Sequence, residues 1–207
     1  MIGERFLIER MPQDGFPGAF CCGTLEIDEY LTDGTALADE RAGFARTYLL
    51  LDQSAEKKCA AYFTLLTDSI RLHDEERPAG IRYHSAPALK LARIGVQEEY
   101  RDTICRARNE PELNLGRKVL DLAVGLARDL AVTVGVRYLT LDALPEPKLV
   151  KWYLDYGFVQ TGGESAERAR FSTDLVMATD VPMRFDLLLS LPAAQVPSQR
   201  SALFIGD

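Results

Sequence analysis

The sequence predicts an α/β or α+β fold in which one sheet is covered by helices on both faces. Three observations predict it. Aliphatic and aromatic runs alternate with helical patterns through the second half of the chain. Between Val119 and Leu130, apolar residues recur at three- and four-residue spacing, the period of a helix with one buried face. And 47% of the 207 residues are apolar, enough to bury a sizeable core.

Each element follows from its own local signal. "RFLIER" (5–10) reads as a short strand. "LEIDEYLTDGTALADERA" reads as helix through Ile27, Tyr30 and Leu31, with Asp33-Gly34 placed to break it in two. "ARTYLLLD" (45–52) and "CAAYFTLL" (59–66) flank a polar turn and form a hairpin signature. A polar loop, 73–87, precedes the apolar strand "ALKLARIGV" (88–96). After a charged stretch the long helix begins, with Asn114 where an N-cap belongs. "VRYLTLDA" (136–143) is a strand. Pro145 and Pro147 open a helix over 148–156, because proline suits a first turn, and Gly157 ends it. "VPMRFDLLLS" (181–190) is the last strand. Residues 1–190 read as one domain and 191–207 as a C-terminal extension.

Composition excludes several functions. A net charge of −7 gives no general attraction to phosphate polymers, so a nucleic-acid partner would need a local basic patch. No apolar run approaches the ~18–20 residues of a membrane span, and the N-terminus carries charges where a signal peptide needs an apolar region. A soluble, cytoplasmic protein is expected. Cys21, Cys22, Cys59 and Cys105 form no CxxC pair and read as reduced thiols. With two histidines in the chain, a multi-histidine metal site is excluded, and no metal is expected.

Two segments carry chemistry. The first runs from the strand "LARIGV" through an arginine-bearing loop into "NLGRKV". A helix N-terminus presents unpaired N–H groups and partial positive charge, and Gly116 permits close approach to the backbone. Arg101, Arg106, Arg108, Arg117 and Lys118 surround that entrance. The pattern fits a phosphate cradle; it equally fits an ordinary capped helix with solvated arginines. The second is "KLVKWYLDYGF" (148–158), where Trp152, Tyr153, Tyr156 and Phe158 fall within seven residues. A helix that only closes a core does not need a phenol there.

Taken together, "LARIGVQEEYRD", "NLGRKVLDLAVGLA", "VRYLTLDAL" and "VKWYLDYGF" resemble the GNAT family of acetyl-CoA-dependent N-acetyltransferases. The first half, with "FCCGTLEIDEYL", "TYLLLD" and "AAYFTLL", resembles the toxin-type subgroup found in toxin–antitoxin pairs. The likeness runs in segment order over roughly residues 5–190. It implies a mixed, mostly antiparallel twisted sheet flanked by helices on both faces. It also implies acetyl-CoA as co-substrate, with Ile94 and Val96 pairing to the pantetheine. Arg101, Asn114, Leu115, Gly116, Arg117 and Lys118 would then form the phosphate loop, and a homodimer is suggested. One departure stands out: residues 104–113 are inserted in that loop, and Asn114 takes the place of its first glycine. Asn tolerates left-handed backbone better than most residues.

The resemblance further implies direct attack of an amine on the thioester, with no acyl-enzyme. The leaving thiolate has a solution pKa of ~8.5, and a phenol held near it can act as general acid. Tyr153 holds that position. Glu98 and Glu99 follow the central strand and are the nearest candidates for a base, though two solvated loop carboxylates account for them better. Three functions compete: acetylation of a small or peptide primary amine; toxin-type acetylation of aminoacyl-tRNA, which the −7 charge disfavours; and a non-catalytic CoA- or partner-binding module.

Overall fold

The computed structural model describes residues 5–16, 18–72, 74–77, 79–161 and 180–188. Their strands form one seven-stranded sheet. In chain order the elements are β1 (Phe6–Arg10), α1 (Leu25–Thr32), α2 (Thr35–Ala42), β2 (Ala45–Asp52), β3 (Lys58–Arg71) and β4 (Ser85–Val96). Then come α3 (Asp102–Ala107), α4 (Gly116–Val134), β5 (Tyr138–Ala143), α5 (Pro147–Tyr156), β6 (Val159–Gln160) and β7 (Val181–Asp186). The sheet order is β1-β2-β3-β4-β5-β7-β6, and β4–β5 is its one parallel pair among these strands. The predicted architecture is therefore observed: a mixed, mostly antiparallel sheet flanked by helices.

Most predicted elements stand where the pattern put them. Gly34 adopts a left-handed φ of 95° and separates α1 from α2. Pro147 opens α5. Gly157, at φ 115°, closes it with the N–H of Phe158 returning to the Tyr153 carbonyl at 3.0 Å. β3 and β4 are longer than predicted, so β4 begins at Ser85, inside the expected loop. Two short elements had no sequence signal: α3, which runs into the inserted stretch, and the two-residue β6. The last strand ends at Asp186; the end of its predicted span and residues 191–207 lie outside the described residues.

Alternation divides the side chains of the sheet between two cores. Leu50, Phe63, Leu65, Leu89, Leu91, Leu139 and Leu141 pack with Val119, Leu120, Ala123 and Val124 of α4 and with Tyr153 and Tyr156 of α5. Leu49, Leu51, Cys59 and Tyr62 face the other way, onto Leu31 of α1 and Ala36 of α2. Two polar pairs on that second side are satisfied, which offsets their desolvation: Thr47 with Thr64 at 2.9 Å, and the Tyr62 hydroxyl donating to the Ile27 carbonyl at 2.6 Å.

Two irregularities shape the centre. The β3–β4 register pairs Leu65 with Leu91 but Thr64 with Arg93, leaving Ala92 as an extra residue. A bulge inverts the phase of a strand. Here it turns Ile94 and Val96 to the α4 side, where Leu89 and Leu91 already point. A second bulge lies at Ala60, between the pairs Leu50–Ala61 and Leu51–Cys59, and on the β4 side the Ala60 carbonyl accepts the N–H of Gln97 at 2.9 Å. That bond fixes the start of the loop leading to α4.

Candidate active site

β4 has two unlike edges. Toward β3 it is paired from Ser85 to Val96. Toward β5 it is paired only from Ala88 to Lys90, opposite Tyr138 to Thr140. Beyond Lys90 the strands diverge, and the edge from Leu91 to Val96 has no strand partner on that side among the described residues. Buried backbone groups are rarely left unpaired, so an open edge in the middle of a sheet is a place for an extended ligand with amide groups. Ile94 and Val96 lie on it, both partly buried against the α4 core.

The α4 N-terminus lies at the end of the loop that follows this edge. The N–H of Leu115 donates to the Tyr100 carbonyl at 3.1 Å, and the Leu115 side chain is fully buried. The N–H of Gly116 donates to Oδ1 of Asn114 at 3.2 Å, while Nδ2 of Asn114 donates to Asp102 at 2.9 Å. The N-cap position falls on Leu115, one residue later than expected, and Asn114 braces the helix start from the residue before it. It does so from an extended conformation, φ −64° and ψ 111°, and its tolerance of left-handed backbone is not used. The N–H groups of Arg117 and Lys118 fall in the first turn, where a helix provides no acceptor. Neither conformation nor packing demands glycine at 116, since an added Cβ would meet only Asn114 Oδ1, at 3.7 Å.

The surrounding cations are largely engaged. Nη1 of Arg101 donates to the Cys22 carbonyl at 3.1 Å, which ties the loop to the segment before α1. Arg106 pairs with Asp102. Lys118 bonds the Glu112 carbonyl. Arg117 lies over the Tyr156 ring at 3.9 Å and approaches Asp121, which also accepts the Tyr156 hydroxyl at 2.8 Å. This triangle joins α4 to α5. Arg108 lines a surface cavity of about 250 Å³ together with Cys21, Gln97, Glu98, Glu99 and Ile104. Glu99 in turn pairs with Lys58 at 2.7 Å, and Glu98 is exposed, which suits structural and solvated carboxylates.

Tyr153 differs from Tyr100 and Tyr156, the other buried tyrosines of its core. Tyr100 and Tyr156 there, and Tyr30 and Tyr62 opposite, all donate their hydroxyls to named acceptors. Tyr153 is 5% exposed, its ring packed edge-on against Trp152 and Phe158, and its hydroxyl bonds no described residue. Burial pushes its pKa up to about 12, so the phenol keeps its proton throughout the physiological range.

Three features of this region carried no local signal. Gly95 lies on the α1 side of β4, where an added Cβ would come within 2.8 Å of Tyr62, 2.9 Å of Phe20 and 3.0 Å of Ile27. Asp52 and Tyr100 are joined across 48 residues by a 2.8 Å hydrogen bond. Arg41, Arg46, Arg71, Arg77, Arg82 and Arg93, the arginines from which a local basic patch could be built, do not all gather in one place. Arg46 and Arg93 sit near α1 and α2, where they meet Glu40 and the Tyr30 ring. Arg71, Arg77 and Arg82 lie around the β3–β4 turn, with Arg71 seven residues along β3 from the partner of Arg93, about 23 Å away.

The seven-stranded, mostly antiparallel sheet flanked by helices matches the GNAT fold of solved structures. A structure of AtaTR bound with AcCoA superposes with a TM-score of 0.65 at 19% identity, over 89% of this chain and 95% of the other. A Tyr-to-Phe mutant of KacT gives 0.66 at 16% identity, over 89% and 96%. AtaT complexed with acetyl-methionyl-tRNA gives 0.65 at 19%, over 87% and 94%. No family model matches the chain. No curated protein matches its sequence. No helix among the described residues is long and apolar enough to cross a membrane.

Proposed function

We propose that this chain is an N-acetyltransferase that moves an acetyl group from acetyl-CoA to a primary amine in the cytoplasm. The observation that carries the reading is the open edge of β4 from Leu91 to Val96, whose Ile94 and Val96 share one core with Leu115 at the start of α4 and with Tyr153. The solved relatives of this fold that hold AcCoA support it.

In this reading the pantetheine pairs with backbone groups of Ile94 and Val96. The pyrophosphate lies on the turn from Asn114 to Lys118, where the amides of Arg117 and Lys118 and the positive end of α4 favour an anion. Gly116 is there because the phosphate must approach closely. Leu115 contributes through its fixed backbone, and Arg101 by holding the loop to Cys22. The amine attacks the thioester carbon, the C–S bond breaks, and the electron pair leaves on sulfur. Tyr153 donates its proton to that thiolate. An α-amino group, with a pKa of ~8, is already partly deprotonated at neutral pH, so no protein base is required.

A second reading makes the amino acid of a charged tRNA the acceptor. The complex of AtaT with acetyl-methionyl-tRNA favours it; the separated arginines and the charge of −7 weigh against it. Acetyl-CoA decides the common part. A ligand at a hundred times its Kd stabilises the folded state by about 2.7 kcal/mol, so saturating acetyl-CoA should raise the Tm by several degrees. An unchanged Tm at millimolar acetyl-CoA would overturn both readings. Binding of charged tRNA that weakens steeply with salt would select the second.

A further inference from the structure

The loop between β4 and α4 is lengthened by residues 104–113, and a long loop is a poor means of placing a helix N-terminus. Something else must fix it. The last residue of the short helical turn after β4, Tyr100, reaches two places at once. Its carbonyl accepts the Leu115 N–H at 3.1 Å, at the mouth of α4. Its hydroxyl donates to Oδ2 of Asp52 at 2.8 Å, at the end of β2.

Asp52 is fully buried, and every described partner is a donor. Arg5 grips it through Nε at 3.0 Å and Nη2 at 2.7 Å, and Ser54 donates both its N–H at 2.9 Å and its hydroxyl at 2.6 Å. Such a carboxylate does not move without breaking several charge-assisted bonds. Burying it is costly, and an apolar pair could fill the same space; what the apolar pair could not do is hold Tyr100 in one orientation. The Tyr100 ring also packs edge-on against Phe6, with centroids 5.9 Å apart.

We infer that the Asp52–Tyr100 pair is a positioning clamp: it sets the α4 N-terminus for the pyrophosphate end of the cofactor and leaves the thioester end untouched. Asp52 and Tyr100 touch no reacting atom. The clamp acts through the Tyr100 carbonyl on Leu115 and so on the amides of the next turn. None of its hydrogen bonds reaches Tyr153 or the open edge of β4. The inference rests on the acetyltransferase reading.

The test uses the full chain and two probes, acetyl-CoA and S-acetylpantetheine, which carries the thioester arm without the pyrophosphate. Tyr100→Phe keeps the ring against Phe6 and removes one of the several donors to Asp52, so the fold is expected to persist, checked by circular dichroism. Its affinity for acetyl-CoA should fall about tenfold, with KM for acetyl-CoA rising and kcat at saturation unchanged. Its affinity for S-acetylpantetheine should match that of the wild type. Asp52→Asn should weaken acetyl-CoA binding in the same selective way, and the double variant should lose little more than either single one. Should Asp52→Asn fail to fold, Tyr100→Phe alone decides. Equal weakening of both probes, or of neither, overturns the clamp. A wild-type chain that binds neither probe overturns the acetyltransferase reading itself.

Discussion

The two edges of β4 carry the same residues and meet different fates. Against β3, the strand is paired for its whole length and interrupted only by the bulge at Ala92. Against β5, pairing stops after three residues. The paired edge joins two antiparallel strands in direct succession along the sheet. The open edge belongs to a parallel crossover, in which α4 must return the chain and lies across the sheet. The bulge adds local twist on one side of Leu91, and β5 does not follow. The contrast teaches that the open edge is made by ending a pairing early, in the middle of the sheet, rather than by a loop at its rim.

The largest effect that can sharpen the contrast is on chemistry at the open edge. Tyr153→Phe removes a hydroxyl that bonds no described residue, so stability should barely change. If that hydroxyl protonates the thiolate, kcat should fall ~10²-fold or more while KM for acetyl-CoA holds. Steady-state kinetics with a screened amine acceptor would show it. Unchanged turnover with chemistry rate-limiting would make Tyr153 a packing residue.

Next in size is the loss of cofactor binding. Gly116→Glu places bulk and negative charge where the phosphate should lie, and its Cβ would meet only Asn114 Oδ1, at 3.7 Å. The protein should fold and its Tm shift with acetyl-CoA should vanish. A retained shift would place the phosphates elsewhere.

The paired side is broken by packing instead. Gly95→Val would drive a branched side chain into Tyr62, Phe20 and Ile27. Overpacking of this kind costs about 1–3 kcal/mol, and for a chain of this size each kcal/mol lowers the Tm by about 2–4 °C. Thermal denaturation measures it. A variant as stable as the wild type would show that α1 can shift off the sheet without loss.

The smallest expected effects are the loss of the Asn114 brace and the pH response. Asn114→Ala removes the acceptor for the Gly116 N–H and the link to Asp102, a loss of about 1 kcal/mol. Because the Tyr153 phenol is raised to about 12 by burial, the acid form persists well above pH 9. The rate should therefore show no alkaline fall from Tyr153 between pH 7 and 10, and should rise as the acceptor amine deprotonates. The linked stability has the same sign. The neutral phenol favours the folded state, an advantage present in full below the unfolded pKa of ~10 and lost only as pH rises through about 12.

Much of this protein follows from local pattern. The apolar spacing from Val119 to Leu130 determines α4, and Pro147 and Gly157 delimit α5, because a helix records its buried face every three to four residues and its ends in the residues that suit them. The segment order from "LARIGV" to "WYLDYGF" determines the fold resemblance and brings Tyr153 and Gly116 into question as site residues. Other decisions belong to tertiary structure. The phase inversion at Ala92 exists only relative to β3. The gap beyond Lys90 exists only relative to β5. Gly95 is required by three side chains from Phe20, Ile27 and Tyr62, and Asp52 meets Tyr100 across 48 residues. A side chain's period along the chain shows which face it will bury; which distant residue it meets there is settled only when the strands are laid side by side.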